Sequence, residues 1–307
     1  MPVRENSQGA FGPDPADSPD TRVYITVSLS PFEQPGGHQR PKWLEESRMD
    51  LGIRGKKAIV CASSQGLGRA CAEALAREGV SLVINGRDKA KLENTAREIA
   101  DVSGVSVTPI VADLNLQSER ERLIEACPHA DILVNNNAGP PPGRFEDWDH
   151  AQWLAALEAN LLAPVLMIRG LLPGMKERGF GRIVNITSAM VKTPKGPMGL
   201  STAARTGLTA LCKSISGEAV KHNVTINNLL PERIDTPRQE QMAQLAMKFG
   251  GVSYEEARTQ QVASIAAGRL GLPGEFADAC AFLCSAQAGF ISGQNLQLDG
   301  GSYQGLI

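Results

Sequence analysis

The segment Lys57-Ala58-Ile59-Val60-Cys61-Ala62-Ser63-Ser64-Gln65-Gly66-Leu67-Gly68, continued by a helical pattern as far as Gly79, decides the fold. Ala58, Ile59, Val60 and Cys61 form a short apolar run, and the small residues that follow break it. Leu67, Cys71, Ala74 and Leu75 then recur at the i, i+4, i+7, i+8 spacing of a helix packed on a sheet, and Gly79 suits its end. The pattern predicts strand, tight turn, helix. Gly66 and Gly68 have no side chain to hold a ligand off the backbone, and the N–H groups and dipole of a helix start favour negative charge. A dinucleotide held at Ala62, Ser64, Gln65, Gly66, Leu67 and Gly68 is the functional reading. A glycine-rich turn that only joins strand to helix is the competing one.

The same alternation runs through the rest of the chain. Apolar strand patterns at 81–85, 105–111, 130–135, 181–186, 224–230 and 295–298 are separated by helical patterns, among them 89–100, 117–127, 153–175 and 201–220. Strands alternating with helices imply an α/β, Rossmann-like, doubly wound fold: a predominantly parallel seven-stranded sheet with helices on both faces. Residues 49–307 read as one such domain. Residues 1–48 differ, being rich in Pro, Gly, Asp, Ser and Gln, and read as a poorly packing extension in which only 23–29 alternates like a strand. No long apolar stretch follows the charged start, so no secretory leader is expected, and the extension is either a dispensable tail or the product of an early start codon.

Composition narrows the function. Of 307 residues 42% are hydrophobic and 21% charged, an ordinary globular balance, and the net charge of -2 supplies no basic field for nucleic acid. No apolar run approaches the roughly 18 residues of a membrane span, so no membrane partner is expected. The cysteines at 61, 71, 127, 212, 280 and 284 lack paired CxxC spacing and read as reduced core residues of a cytoplasmic protein, with no metal site. Cys280 and Cys284 lie one helical turn apart without a nearby histidine, which leaves them as core residues too.

Several later motifs agree on one family. Asn136-Asn137-Ala138-Gly139 follows the fourth strand, Gly181-Arg182-Ile183-Val184-Asn185-Ile186-Thr187-Ser188 forms the fifth, and Asp299-Gly300-Gly301 follows the seventh. With the glycine turn they resemble the short-chain dehydrogenase/reductase family over 51–303, especially its ketoacyl-reductase-like branch. The resemblance implies contacts to the adenosine side of the cofactor from Asn136, Ala138, Gly139, Asp113 and Leu114. It implies a loop closing on the nicotinamide at Pro231, Ile234 and Thr236, a catalytic Ser188 and an active-site Asn160. Read from the residues alone, Ser188 is also a strand-end hydroxyl and Asn160 a buried helix amide that orients backbone.

The departures from the family pattern carry as much information. Cys61-Ala62 stands where the family has Thr-Gly, tolerable if Ala62 keeps a negative φ. Pro231-Glu232 replaces Pro-Gly. Where the family has Tyr-x-x-x-Lys, thirteen residues after Ser188, this chain reads Ser201-Thr202-Ala203-Ala204-Arg205. A phenol is an acid that a neighbouring cation strengthens; a serine hydroxyl is weaker and shorter. Ser201 reads as a helix N-cap or as a hydrogen-bond donor in a modified acid/base set, with a water held by Ser188, Ser201 and Asn160 as one form of it. Arg205, one turn on, reads either as a holder of the ribose hydroxyls or as a solvated helix residue. Lys192 and Lys195 read as solvated loop lysines, and Tyr254 as the one tyrosine near enough to stand in for the acid, with surface packing its plainer role.

Two function classes follow. One is an oxidoreductase for a small-molecule ketone or alcohol, 3-oxoacyl-like among the options. The other is a dinucleotide-binding sensor or assembly subunit with little turnover. NADP is expected over NAD, because the position after the second strand holds Gly86-Arg87, and Arg suits a 2′-phosphate. Asp88 reads as the cap of the next helix. The segment 237–268 reads as a substrate lid of two helices hinged at Gly250-Gly251, the second opened by a Ser253-Tyr254-Glu255-Glu256 capping box. A static surface pair or an oligomer contact is its alternative. The family resemblance also implies a homo-oligomer, dimer or tetramer.

Overall fold

The computed structural model describes residues 49–306. The proposed extension, with its strand-like 23–29, lies outside the described residues. From the first described strand the order is β1 (Lys57–Val60), α1 (Gly66–Arg77), β2 (Ser81–Gly86), α2 (Lys89–Ser103), β3 (Val107–Val111), α3 (Gln117–Glu125), β4 (Ile132–Asn135) and α4 (His150–Leu157). A π-turn (Glu158–Leu162) leads into α5 (Ala163–Glu177), followed by β5 (Gly181–Ile186), α6 (Gly199–Ala219), β6 (Val224–Pro231), α7 (Pro237–Gly250), α8 (Tyr254–Ala263), α9 (Pro273–Cys284) and β7 (Asn295–Leu298).

The strands form one sheet in the order β3-β2-β1-β4-β5-β6-β7, and every neighbouring pair is parallel. Parallel neighbours need crossover helices, and these cover both faces. On one face α1 and α9 pack through Cys71, Leu75, Phe276 and Cys280; on the other, α3, α5 and α6 pack through Leu123, Met167, Leu171 and Leu208. Leu67, expected in the stripe of α1, is only partly buried. Pro109 has no N–H for a ladder and sits in β3, an edge strand, where that loss is tolerable.

All six cysteines are buried and free. The run 150–177 departs from expectation: at 28 residues it is long and apolar enough, by length and composition alone, to cross a membrane. Glu158 does not interrupt it, and the fold instead lays Met167, Leu171 and Met175 against the sheet.

Strand order reverses between β1 and β4. Their carboxyl ends therefore open a crevice, and the chain places there the glycine turn after β1 and Asn136–Gly139 after β4.

Candidate active site

The glycine turn is built from backbone constraints. Gly66 has φ +59°, and a Cβ on Gly68 would stand 2.3 Å from the carbonyl oxygen of Ala62. Only glycine allows α1 to start this close to the end of β1. No side chain caps α1 at Gln65, so its first N–H groups can receive an anion, and the residues fit a pyrophosphate. Thr236 closes the turn from the far side, 3.9 Å from where a Cβ on Gly66 would lie.

The expectation for Ala62 is corrected: its φ is +44°, in the left-handed region. Its N–H donates to Asn85 Oδ1 at 3.0 Å, the next N–H to the Asn85 carbonyl at 2.7 Å, and Asn136 Nδ2 donates to its carbonyl at 3.1 Å. These bonds hold the residue in a conformation that costs an L-residue about 1–2 kcal/mol. Asn85 escaped the sequence reading, although a polar residue closing an apolar strand beside a glycine turn was a usable signal.

The residues expected on the adenosine side lie in the loops after β2, β3 and β4. Asp88 caps α2 by accepting from the Lys91 N–H at 3.0 Å, and Arg87, just after β2, is exposed. Ser64 borders Gly86, with its Oγ 3.0 Å from where a Cβ there would stand. Asp113 turns its loop by accepting from the Asn115 N–H. The Leu114 carbonyl accepts from buried Arg120, which also pairs with Glu158 at 2.7 Å and so ties this loop to the π-turn.

Asn160 lies in that π-turn. Pro164 has no N–H, so the Asn160 carbonyl lacks its helical donor four residues on, and the Ala163 N–H reaches back to Glu158 instead. Sequence carried this signal in Pro164. Asn160 is 3% exposed, donates from Nδ2 to the Ala138 carbonyl at 3.3 Å, and leaves its buried Oδ1 without a partner.

Arg205 is the centre of the site. Its Nη1 donates to the carbonyls of Ile186 and Thr187 at 2.7 and 3.1 Å, its Nη2 to that of Asn137 at 3.3 Å, and its Nε to Ser201 Oγ at 3.1 Å. It is no solvated helix residue. Four of its five N–H donors are occupied, and one on Nη2, beside Gly139, is left for a ligand hydroxyl. Burial, and after it the positive charge of Arg238, push this guanidinium down to about 10, so it stays charged at neutral pH.

Ser201 is not the helix N-cap: α6 begins at Gly199, with Met198 before it. Ser201 Oγ accepts from Arg205, and it lies 3.7 Å from where a Cβ on Gly139 would stand. Ser188 lies two residues past β5, half-buried, and accepts from the Met190 N–H. Asn160, Arg205 and Leu114 line one small internal cavity of about 20 Å³, while Asn160 also borders a pocket of about 470 Å³ lined by 138–143, Trp148 and Leu200.

After β6, Pro231 leads to Glu232, which pairs with Lys195 at 3.6 Å and Arg233 at 3.3 Å; Lys195 is thus not simply solvated. Arg233 has φ +49°, and Ile234 is buried. Tyr254 does not reach the site: its hydroxyl donates to Glu240 at 2.7 Å and pins α8 to α7. The tyrosine that approaches the serine loop is Tyr303, whose ring lies 5.1 Å from Lys192 Nζ. No metal-holding group of His, Cys, Asp or Glu occurs among the described residues.

Fold and site together define a dinucleotide-binding α/β oxidoreductase. The profile of the family described as enoyl-(acyl carrier protein) reductase matches residues 61–303. The NADPH-dependent reductase BacG of Bacillus subtilis is 32% identical over 256 residues, 82% of this chain and 99% of that one. The 3-oxoacyl-[acyl-carrier-protein] reductase FabG of Aquifex aeolicus is 32% identical, covering 83% and 100%. L-sorbose reductase of Gluconobacter frateurii, solved with NADPH and L-sorbose, superposes with a TM-score of 0.80 at 29% identity, covering 84% and 100%. The chain belongs to the short-chain dehydrogenase/reductase family.

Ala62→Gly should stabilise the protein. Relief of the left-handed strain outweighs the added freedom of the unfolded chain by about 0.5–1 kcal/mol, a rise in Tm of about 2 °C. A thermal melt reads it; an unchanged or lower Tm would show that the turn holds Ala62 without strain.

Proposed function

We propose that the chain is an NADP-dependent oxidoreductase that interconverts a ketone and an alcohol. In place of a phenol and an ammonium it uses a hydroxyl and guanidinium set made of Ser188, Asn160, Ser201 and Arg205. The observation that carries this reading is the meeting of the glycine turn, Asn136–Gly139 and Arg205 where the strand order reverses. Names of relatives support it, since BacG is an NADPH-dependent reductase and FabG a 3-oxoacyl reductase. A 3-oxoacyl-like substrate is one option within this class.

The nicotinamide supplies the hydride when bound: ketone, NADPH and a proton give alcohol and NADP+. The N–H groups at the start of α1 hold the pyrophosphate, Arg87 the 2′-phosphate, Asp113 and Leu114 the adenine end. Arg205 uses its remaining N–H on a ribose hydroxyl. Ser201, its oxygen already accepting from Arg205, donates its proton toward the pocket, and Ser188 adds a second hydroxyl. These groups polarise a carbonyl. None is an acid of phenol strength, and a lost general acid costs roughly 100 to 10,000-fold.

Titration with NADPH and NADH, run beside a carbonyl turnover panel, tests this. Arg87 should make NADPH bind more tightly, and Arg87→Ala should remove the preference; turnover should fall well below the roughly 10 per second of a median enzyme. Equal affinities in wild type would remove the cofactor assignment. NADPH binding with no turnover on any carbonyl would select the sensor or assembly role.

The segment 237–268 is proposed as the substrate lid. It is supported by the helix pair α7 and α8, by Gly251 in the left-handed conformation between them, and by the Ser253 capping box at the start of α8. Exposed Phe282, Phe290 and Leu296, the last on edge strand β7, support a homo-oligomer, dimer or tetramer. Six unpaired cysteines support a cytoplasmic setting. Limited proteolysis should cut near Gly250 in the free protein and slow with cofactor and substrate together; a rate indifferent to ligand would make α7 and α8 a static pair.

A further inference from the structure

Two guanidinium groups hold the segment after β4, Arg205 at the Asn137 carbonyl and Arg238 at the Pro140 carbonyl, and neither forms an ion pair with a described residue. Arg205 is committed to three carbonyls and Ser201. Arg238, the second residue of α7, is half-buried and donates from Nη2 to the carbonyl of Pro140 at 3.2 Å. Its charge is one cause of the lowered pKa of Arg205, and burial lowers its own. Like charges held together and partly away from water are relieved by an anion.

Arg238 reaches the 470 Å³ pocket only through the backbone of Pro140, one of the residues that line it. Pro140, Pro141, Trp148 and Leu200 make much of the wall apolar. Trp148 is fixed there: a Cβ on Gly143 or on Gly199 would stand 2.6 Å from its ring system, and Trp153 meets it edge-on at 5.9 Å. A fixed aromatic wall admits a flat apolar body. Asp147 and Gln152 are polar lining residues. Asp147 repels an anion, so an acid in this pocket turns its charged end away from Asp147.

We propose that the substrate is a carboxylate on an apolar body, with the body against Trp148 and the carboxylate on Arg238. This rests on the oxidoreductase reading and adds the substrate class. The rival occupant of Arg238 is the pyrophosphate of the dinucleotide, since Thr236 lies two residues before it.

Calorimetric titration of the full chain saturated with NADP+ separates the two, using benzoylformate and its uncharged methyl ester as probes. The acid should bind at least about tenfold more tightly than the ester. Arg238→Gln should erase that gap and leave NADPH affinity within about twofold, whereas Arg238→Lys keeps part of it as a point charge. Trp148→Ala should weaken acid and ester alike. Equal binding of acid and ester to wild type, binding of neither, or an NADPH affinity that falls with Arg238→Gln as far as the acid's does would each overturn the proposal. If wild type binds no NADPH, the oxidoreductase reading fails, and the acid-against-ester comparison on the chain alone still decides the pocket.

Discussion

The arrangement of the site depends on one buried cation. Arg205 reaches from α6 to the carbonyls at the end of β5 and just after β4, so one guanidinium fixes three elements relative to one another. Hydrogen bonds to a charged group contribute about 1.5–3 kcal/mol each, against a desolvation cost of several kcal/mol for the buried ion. The balance holds only while all acceptors are in place. Removing any one leaves a buried charge underserved, which makes the position unforgiving and the geometry well defined.

This cation positions groups without exchanging a proton. An ammonium beside a phenol tunes an acid; a guanidinium fanned over carbonyls and one hydroxyl orients that hydroxyl and keeps a positive charge in the cleft. Around it the chain holds strained residues. Ala62 is held left-handed by Asn85 and Asn136, and Arg233 is left-handed after β6. The π-turn at Asn160 follows from Pro164. Ala62 and Asn160 border the crevice at the strand reversal through Asn136 and Ala138, whereas Arg233 and the left-handed Asn223 flank the two ends of β6.

The sheet was legible in sequence because each β-α unit is short, apolar and closed by small or polar residues. Its parallel sense follows from such units, whereas the strand order is shown only by the structure. The glycine turn was legible too, since Gly68 answers a steric demand that no other residue meets. What sequence did not show depends on contacts distant along the chain. The φ of Ala62 is set by Asn85 and Asn136, and the role of Ser201 by where α6 begins. Tyr303 is brought beside Lys192 by the fold, whereas Tyr254 is turned toward Glu240. The long apolar helix could not be told from a membrane span by composition, because what identifies it is the sheet beneath it.

The central claim is that no group of phenol-like acidity serves the reaction. The rate of hydride transfer from NADPH to a ketone that does not itself ionise, measured in single turnover between pH 6 and 8.5, tests it most directly. Ser201 does not titrate in that range, and Arg205, held near 10, stays protonated throughout. The account predicts a flat profile. A rate that falls about tenfold per pH unit above an inflection in this range would reveal a titrating acid in the site and contradict it.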